Sequence, residues 1–172
     1  MSQKITPFLW FDHEAEEAAK FYVSVFKNNP AKPAGESKIE EESRYDEAGA
    51  AASGRPKGSV MVVSFLLNGQ QFTALNGGPH FKMSGAVSFV INCATQEEVD
   101  YFWDKLTSDG GEAGQCGWVN HDKFGVTWQV VPDALTELLG DPDPVKSGRV
   151  MKAMLGMTKI DIAGLKKAHE GK

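Results

Sequence analysis

The sequence predicts an α+β fold made of two βαβββ units in tandem, followed by helices. Three observations lead to this prediction. A strand and a helix predicted over residues 5–27 return over residues 86–110, after a shift of 81 residues. Alternating apolar residues predict a hairpin that completes each unit, over residues 59–75 and 112–131. After Pro132 the alternation ends and helical spacing replaces it.

The first unit begins with a short apolar strand over residues 5–11. Asp12 is a candidate cap for a helix over residues 13–27, whose acidic first turn suits the positive end of the helix dipole. The apolar residues of this segment recur at helical spacing, which predicts an amphipathic helix. They are Ala15, Ala18, Ala19, Tyr22, Val25 and Phe26.

Two loops and an exposed strand follow this helix. Residues 27–36 hold two prolines, two asparagines and a glycine, which predicts a loop. Residues 37–45 alternate charged and apolar side chains, which predicts a solvent-exposed strand. Residues 46–58 are rich in alanine and glycine and include Pro56, which predicts a second loop.

A hairpin completes the first unit. Residues 59–67 are mostly β-branched and aliphatic, and residues 70–75 return as the partner strand. Asn68-Gly69 between them is the residue pair that a two-residue hairpin turn prefers, because both positions need a positive φ. Residues 76–85, NGGPHFKMSG, are predicted as a linker.

The second unit repeats the order of elements. Residues 86–92 predict a strand, and Thr95 with Glu98 forms a capping box at the start of the next helix. Gly110 and Gly111 end that helix. Its apolar stripe consists of Val99, Phe102, Trp103 and Leu106.

The last hairpin of the second unit carries the clearest alternation in the chain. Residues 112–119 predict a strand interrupted by glycines, residues 121–125 a polar turn, and residues 126–131 a strand ended by proline. One face of that last strand is predicted to be core, and it carries Val126, Trp128 and Val130. The other face carries Thr127, Gln129 and Val131.

The two units can be compared residue by residue. With the shift of 81 residues, Phe8 meets Phe89, Leu9 meets Val90, and two glutamates of the first helix turn meet two of the second. In the hairpins, Thr73 meets Gln129. The common order of elements, more than the few identities, favours a duplication.

Three short helices are predicted after the hairpin, over residues 133–139 and from the caps at Asp143 and Asp161. Their apolar stripes are too narrow to be stable alone. We therefore predict a paired βαβββ domain over residues 1–132, with units of about 1–80 and 81–132. Residues 133–172 are predicted to be a helical extension that packs on this domain or on a dimer partner.

Composition excludes several classes of partner. The net charge is −5, and the longest basic run is Lys166-Lys167, so nucleic acid is not an expected partner. No apolar stretch approaches the length that crosses a bilayer, and the N-terminal residues lack the pattern of a secretion signal. Cys93 and Cys116 form no CxxC pair. These features predict a cytoplasmic protein with reduced thiols.

Four segments carry a resemblance to a known family. They are ITPFLWFDHEAEEAAKFYVSVF, LNGGPHFK, QCGW and DKFGVTWQVVPDAL. They resemble the PhnB-like family, which is labelled 3-demethylubiquinone-9 3-methyltransferase and belongs to the vicinal-oxygen-chelate superfamily of glyoxalases, bleomycin resistance proteins and dioxygenases. The resemblance implies a curved mixed sheet around a cavity, usually in a homodimer. It does not fix a reaction, because one fold hosts several.

The resemblance also provides a test for a metal site. In metal-using members of the superfamily, the ligands come from the first and last strand of each unit. Here those strands, residues 5–11, 70–75, 86–92 and 126–131, contain no His, Asp, Glu or Cys. Gln129 stands in the place of a metal-binding glutamate. We therefore predict no transition metal and no other cofactor.

We predict instead a largely apolar small-molecule pocket with a few hydrogen-bonding groups. Its residues would be Pro7, Leu9, Thr73, His80, Ser88, Trp118, Thr127 and Gln129. The alternative is that these polar groups only satisfy one another in a cavity filled by side chains such as Trp10 and Trp118. That alternative implies a structural or partner-binding role.

The sequence therefore favours a small-molecule-binding protein without metal, either an unassigned enzyme or a sequestering protein. One alternative is a metal-dependent lyase, isomerase or dioxygenase that takes ligands from loops, His80 among them. A second alternative is the methyltransferase of the family label. The sequence speaks against it, because no glycine-rich turn follows a first parallel strand in the manner of nucleotide-cofactor folds.

Overall fold

The computed structural model describes residues 4–31 and 35–172. They form two compact units, residues 1–83 and 84–172, and each unit is described by itself. The predicted loop over residues 27–36 lies partly outside the described residues, since residues 32–34 are not among them.

The first unit is one four-stranded mixed sheet with two helices. The strands stand in the order β1-β4-β3-β2, with β1 parallel to β4 and the other pairs antiparallel. The elements are β1 (Phe8–Phe11), α1 (Ala15–Lys27), β2 (Lys38–Arg44), α2 (Glu47–Ser53), β3 (Val60–Leu67) and β4 (Gln70–Asn76).

The second unit has the same sheet order, β5-β8-β7-β6, again with one parallel pair. The two sheets therefore confirm an α+β fold of tandem βαβββ units. The elements are β5 (Phe89–Cys93), α3 (Gln96–Thr107), β6 (Glu112–Ala113), β7 (Trp118–His121), β8 (Trp128–Pro132), α4 (Asp133–Leu139), α5 (Pro144–Leu155) and α6 (Ile162–Glu170).

Each sheet has one face against a helix, called here the covered face, and an opposite face, called the open face. In the first unit, α1 buries its predicted apolar stripe against the covered face, where Tyr22 stacks on Phe65 with ring centroids 6.4 Å apart. Phe65 in turn stacks on Phe72 at 5.6 Å. Burial of apolar area of this kind is the main stabilising term in both units.

The start of α1 is capped from a distance. Asn76, at the end of β4, accepts a hydrogen bond from the Ala15 amide at 2.7 Å and donates one to the Val60 carbonyl at 3.1 Å. The prediction that Asp12 caps this helix is wrong. Asp12 instead forms an ion pair with Arg55, at 3.2 Å between Oδ1 and a guanidinium nitrogen.

The loop predicted over residues 46–58 contains a helix, α2. Asp46 caps it by accepting from the Gly49 amide at 2.7 Å, and Gly54 ends it with φ of 71°. The helix buries none of its residues, so it has no apolar periodicity that the sequence could reveal. Its local signals are the cap, the run of alanines and the final glycine.

The two hairpins use different turn chemistry. The β3–β4 turn is the predicted two-residue turn, with φ of 51° at Asn68 and 83° at Gly69. The β7–β8 turn depends on Asp122, whose side chain is only 1% exposed. Asp122 Oδ1 accepts from the amides of Phe124 at 2.8 Å and Val126 at 3.1 Å.

The other oxygen of Asp122 binds the core of the second unit. Oδ2 accepts from Trp128 Nε1 at 2.8 Å, and Trp128 is 1% exposed. The predicted core face of β8 is confirmed, because Val126, Trp128 and Val130 are all buried. The strand itself begins at Trp128 rather than at Val126.

The helices after β8 pack on the second unit. They share a core of Leu135, Val150, Ile160 and Leu165. Backbone amides of Cys116 and Gly117 donate to the carbonyls of Met157 and Thr158, each at 2.8 Å. Asp143 and Asp161 cap α5 and α6 as predicted. In the part of the chain that the structure describes, no helix has the length and apolar character needed to cross a membrane.

We expect Asp122→Ala to destabilise the protein by about 3 kcal/mol or more. The change leaves two backbone amides and the Trp128 indole without their acceptor inside the core. Urea denaturation, followed by circular dichroism, measures the free energy of unfolding.

A matched control is Asp104→Ala on α3. The side chain of Asp104 is 71% exposed and lies 3.9 Å from Lys159, so its removal is expected to change stability by less than about 0.5 kcal/mol. A loss below about 1 kcal/mol for Asp122→Ala would contradict the anchoring role assigned to this carboxylate.

Candidate functional site

The open face of the first sheet is mostly apolar. Its central row runs across three strands, from Phe8 on β1 through Thr73 on β4 to Ser64 on β3. Phe8 is 58% exposed, an unusual position for a large aromatic side chain at a sheet centre. Two of the three members are small hydroxyl residues, and none is ionisable.

Leu9 does not share this open face with Thr73, as we predicted from the sequence. It pairs with Ala74 and is 6% exposed on the covered face, so its predicted position in the pocket is wrong. Pro7 precedes β1 and is partly buried. Its carbonyl accepts a hydrogen bond from the Thr73 amide at 3.0 Å, which extends the β1–β4 pairing by one residue.

His80 lies at the surface of the first unit, in the segment after β4. Its ring centroid is 6.5 Å from that of Trp10, and Phe81 meets the same indole edge-on at 4.9 Å. Trp10 is held in place because its indole nitrogen donates to the Gly78 carbonyl at 2.8 Å. The sequence predicted His80 as the site residue here and missed Trp10, which organises this aromatic cluster.

The open face of the second sheet carries a different central row. Gln129 on β8 stands between Val90 on β5 and Trp118 on β7, as the register of the two strand pairs shows. Val90 is 51% exposed, while Gln129 and Trp118 are partly buried. Gln129 Nε2 donates to Ser88 Oγ at 2.8 Å. Three predicted site residues, Ser88, Trp118 and Gln129, thus lie together.

Thr127 belongs to the same unit but is 4% exposed. Its hydroxyl donates to the Asn120 carbonyl at 2.7 Å, and its own carbonyl accepts from the Phe89 amide at 3.1 Å. These bonds join β8 to both neighbouring strands. Because its donor is already used, Thr127 has a structural role in this unit rather than an evident part in binding.

An open cleft adjoins the row at Trp118. It has a volume of about 460 Å³ and is lined by Ala113, Gly114, Gln115, Cys116, Trp118 and Asn120. Asn120 is tied to the rim because its amide nitrogen donates to Glu112 at 2.7 Å. This size lies within the range of small-molecule sites. The sequence gave no sign of Asn120, whose place is fixed by the β6–β7 pairing.

Neither open face offers the donors that a transition metal needs. Within residues 4–31 and 35–172, no three His, Cys, Asp or Glu side chains lie close enough together to hold a metal ion. The positions at the centre of the rows hold hydroxyl and amide groups, which are weak, uncharged ligands for such metals. The residues present therefore do not fit the metal centre of the metal-using superfamily members.

Solved structures define the class of the fold. The PhnB protein from Bacillus cereus is 37% identical, with a TM-score of 0.62 over 76% of this chain and 99% of that chain. The fosfomycin resistance protein FosX from Mesorhizobium loti, 11% identical, has a TM-score of 0.52 over 81% of this chain and 98% of that chain. The fold is thus that of the vicinal-oxygen-chelate superfamily.

The family follows from the sequence match. The model of the family described as 3-demethylubiquinone-9 3-methyltransferase matches residues 3–131, and the chain belongs to this PhnB-like family. Protein PA1353 from Pseudomonas aeruginosa has the same fold, at 20% identity and a TM-score of 0.54 over 76% of this chain and 98% of that chain. No curated protein is similar enough to count as a match.

The two cysteines are expected to differ sharply in reactivity. Burial raises the pKa of the Cys93 thiol to about 12, with further contributions from the charges of Glu98 and Asp133. Cys116 is partly exposed in the cleft. Since the thiolate is the reacting form, we expect iodoacetamide to alkylate Cys116 in the native protein and Cys93 only after denaturation. Mass spectrometry of tryptic peptides measures both.

The control is Cys116→Ser, which should remove the label from the native protein while the denatured protein still takes one. Equal labelling of both thiols in the native state would show that the packing around Cys93, which is 0% exposed here, opens readily.

Proposed function

We propose that this protein binds a small organic molecule on the open face of the second sheet. The observation that carries the proposal is the row of Val90, Gln129 and Trp118 with the cleft beside it. A polar group between two apolar side chains is the usual composition of a small-ligand site. The Ser88 hydroxyl, bonded to Gln129, fixes the position of the amide.

The alternative of a metal-dependent lyase, isomerase or dioxygenase has less support. It needs three or more charged or imidazole ligands, and the described residues bring no such group together. His80, the loop residue proposed for such a centre, has Trp10 and Phe81 as its aromatic neighbours in the first unit. No step of a reaction is therefore assigned to a metal.

The family description names a methyltransferase, and the fold offers that activity no support. Nucleotide cofactors bind where a glycine-rich turn joins a parallel strand to a helix, since the backbone must approach the ligand closely. The two such turns here, residues 12–14 after β1 and residues 94–95 after β5, contain no glycine. The homodimer that the resemblance implies, the cytoplasmic location and a catalytic role stay predictions.

The proposal is tested by titrating ¹⁵N-labelled protein with a library of small organic compounds and following the two-dimensional amide spectrum. We expect binders to shift the signals of residues 88–90, 118–120 and 128–130 together. Shifts confined to residues elsewhere in the chain would contradict the proposed position of the site.

For a compound found in this way, Gln129→Ala is expected to weaken binding about fivefold, the loss of one hydrogen bond, with little change in stability. The matched control is Thr73→Val at the corresponding position of the first sheet, which should leave the dissociation constant unchanged. An equal loss in both variants would mean that the amide is not a specific contact.

We expect the purified, dialysed protein to hold less than about 0.1 equivalents of zinc, iron, manganese or nickel, because its donor groups do not fit these ions. Atomic emission spectroscopy measures the content. As a second readout, excess EDTA should leave the melting temperature unchanged. Stoichiometric metal that survives dialysis would return the metal-dependent alternative to first place.

A further inference from the structure

The hydrogen bond between Gln129 and Ser88 determines which polar groups the second open face still offers. It uses one hydrogen of the Gln129 amide and a lone pair of Ser88 Oγ, at 2.8 Å. No other described residue bonds either side chain, so the Gln129 oxygen and the Ser88 hydroxyl hydrogen remain available. An amide oxygen accepts and a hydroxyl hydrogen donates.

This conclusion does not depend on the orientation of the amide. If the amide is turned over, Ser88 donates to the Gln129 oxygen, and the NH₂ group and the Ser88 oxygen become the free donor and acceptor. In both orientations the pair presents one donor and one acceptor side by side. A ligand group that matches it must itself combine an acceptor with a donor.

The charges around the site make a charged ligand unfavourable. No residue of the row or the cleft lining is a lysine, an arginine or a carboxylate. The nearest recorded charge is Glu112, which accepts from Asn120 at the rim and lies 3.5 Å from His121. An anion would meet no cation there, and a cation would leave water for neutral groups only.

The neighbours of Gln129 determine the shape of the rest of the ligand. Trp118 and Val90 stand on its two sides, on β7 and β5. Cross-strand neighbours lie about 5 Å apart, so one planar group can contact Gln129 and Trp118 together. An indole favours a flat, conjugated partner, which it contacts by offset stacking or edge-on.

From these three observations we infer that the ligand is a neutral, flat molecule that carries an amide-like group, with a carbonyl acceptor beside an N–H donor. The amide-like group pairs with Gln129 and Ser88, and the flat part lies against Trp118. This inference rests on the proposed function and adds to it the charge and the chemical class of the ligand.

The test compares three probes of the same planar shape and different charge: benzamide, benzoate and benzamidine. Each is titrated into ¹⁵N-labelled protein, with the Gln129 side-chain amide and the Trp118 indole N–H as readouts. We expect benzamide to shift both signals, and benzoate and benzamidine to bind at least about tenfold more weakly because they lose hydration without gaining a counter-charge.

Two variants separate the amide contact from apolar contact alone. Gln129→Leu keeps most of the side-chain volume, and Ser88→Ala is a second variant should the first fold poorly. Each is expected to weaken benzamide binding about fivefold. Unchanged benzamide affinity in a folded variant would overturn the amide pairing.

The probes also separate this inference from the proposed function. If benzoate or benzamidine shifts the two signals at lower concentration than benzamide, the neutral class is wrong while a small-molecule site remains. If none of the three probes shifts either signal and the wider library also fails, the proposed function itself fails.

Discussion

The buried carboxylate of Asp122 is the constraint on which the second unit depends. Its two oxygens accept from two amides of the β7–β8 turn and from the indole of Trp128, so turn and core are fixed by one side chain. That bond holds the register in which Gln129 faces Trp118. Because side chains alternate along a strand, a slip of one residue would place Gln129 on the covered face. The candidate site therefore depends on a group outside it.

The same rule explains why Leu9 was misplaced from the sequence. The shift of 81 residues holds for the helices, which start at Ala15 and Gln96. In the strands, Phe8 pairs with Thr73 as Val90 pairs with Gln129, so the offset there is 82. The difference arises between strand and helix, where three residues join β1 to α1 and two join β5 to α3. One missing residue reversed the face assigned to Leu9.

The sequence predicted the features that depend on neighbours in the chain. The Asn68-Gly69 turn, the caps at Thr95, Asp143 and Asp161, and the buried alternation around Trp128 were all readable, because each requires particular residues at short spacing. Asn76 capping α1 and Asp122 binding Trp128 have no such signal. An Asn or Asp in a turn is ordinary, and only the folded chain shows which distant donor it accepts from.

The duplicated fold gives each unit the same row across three strands, and the side chains in that row set what it can bind. The first row, Phe8, Thr73 and Ser64, has two short hydroxyls beside an aromatic ring. The second has a long amide between Val90 and Trp118. Only the amide, reaching further than a hydroxyl and anchored by Ser88, offers a donor and an acceptor to one planar group. Divergence at the residue opposite Trp118, within an unchanged backbone pattern, thus suffices to place recognition in the second unit.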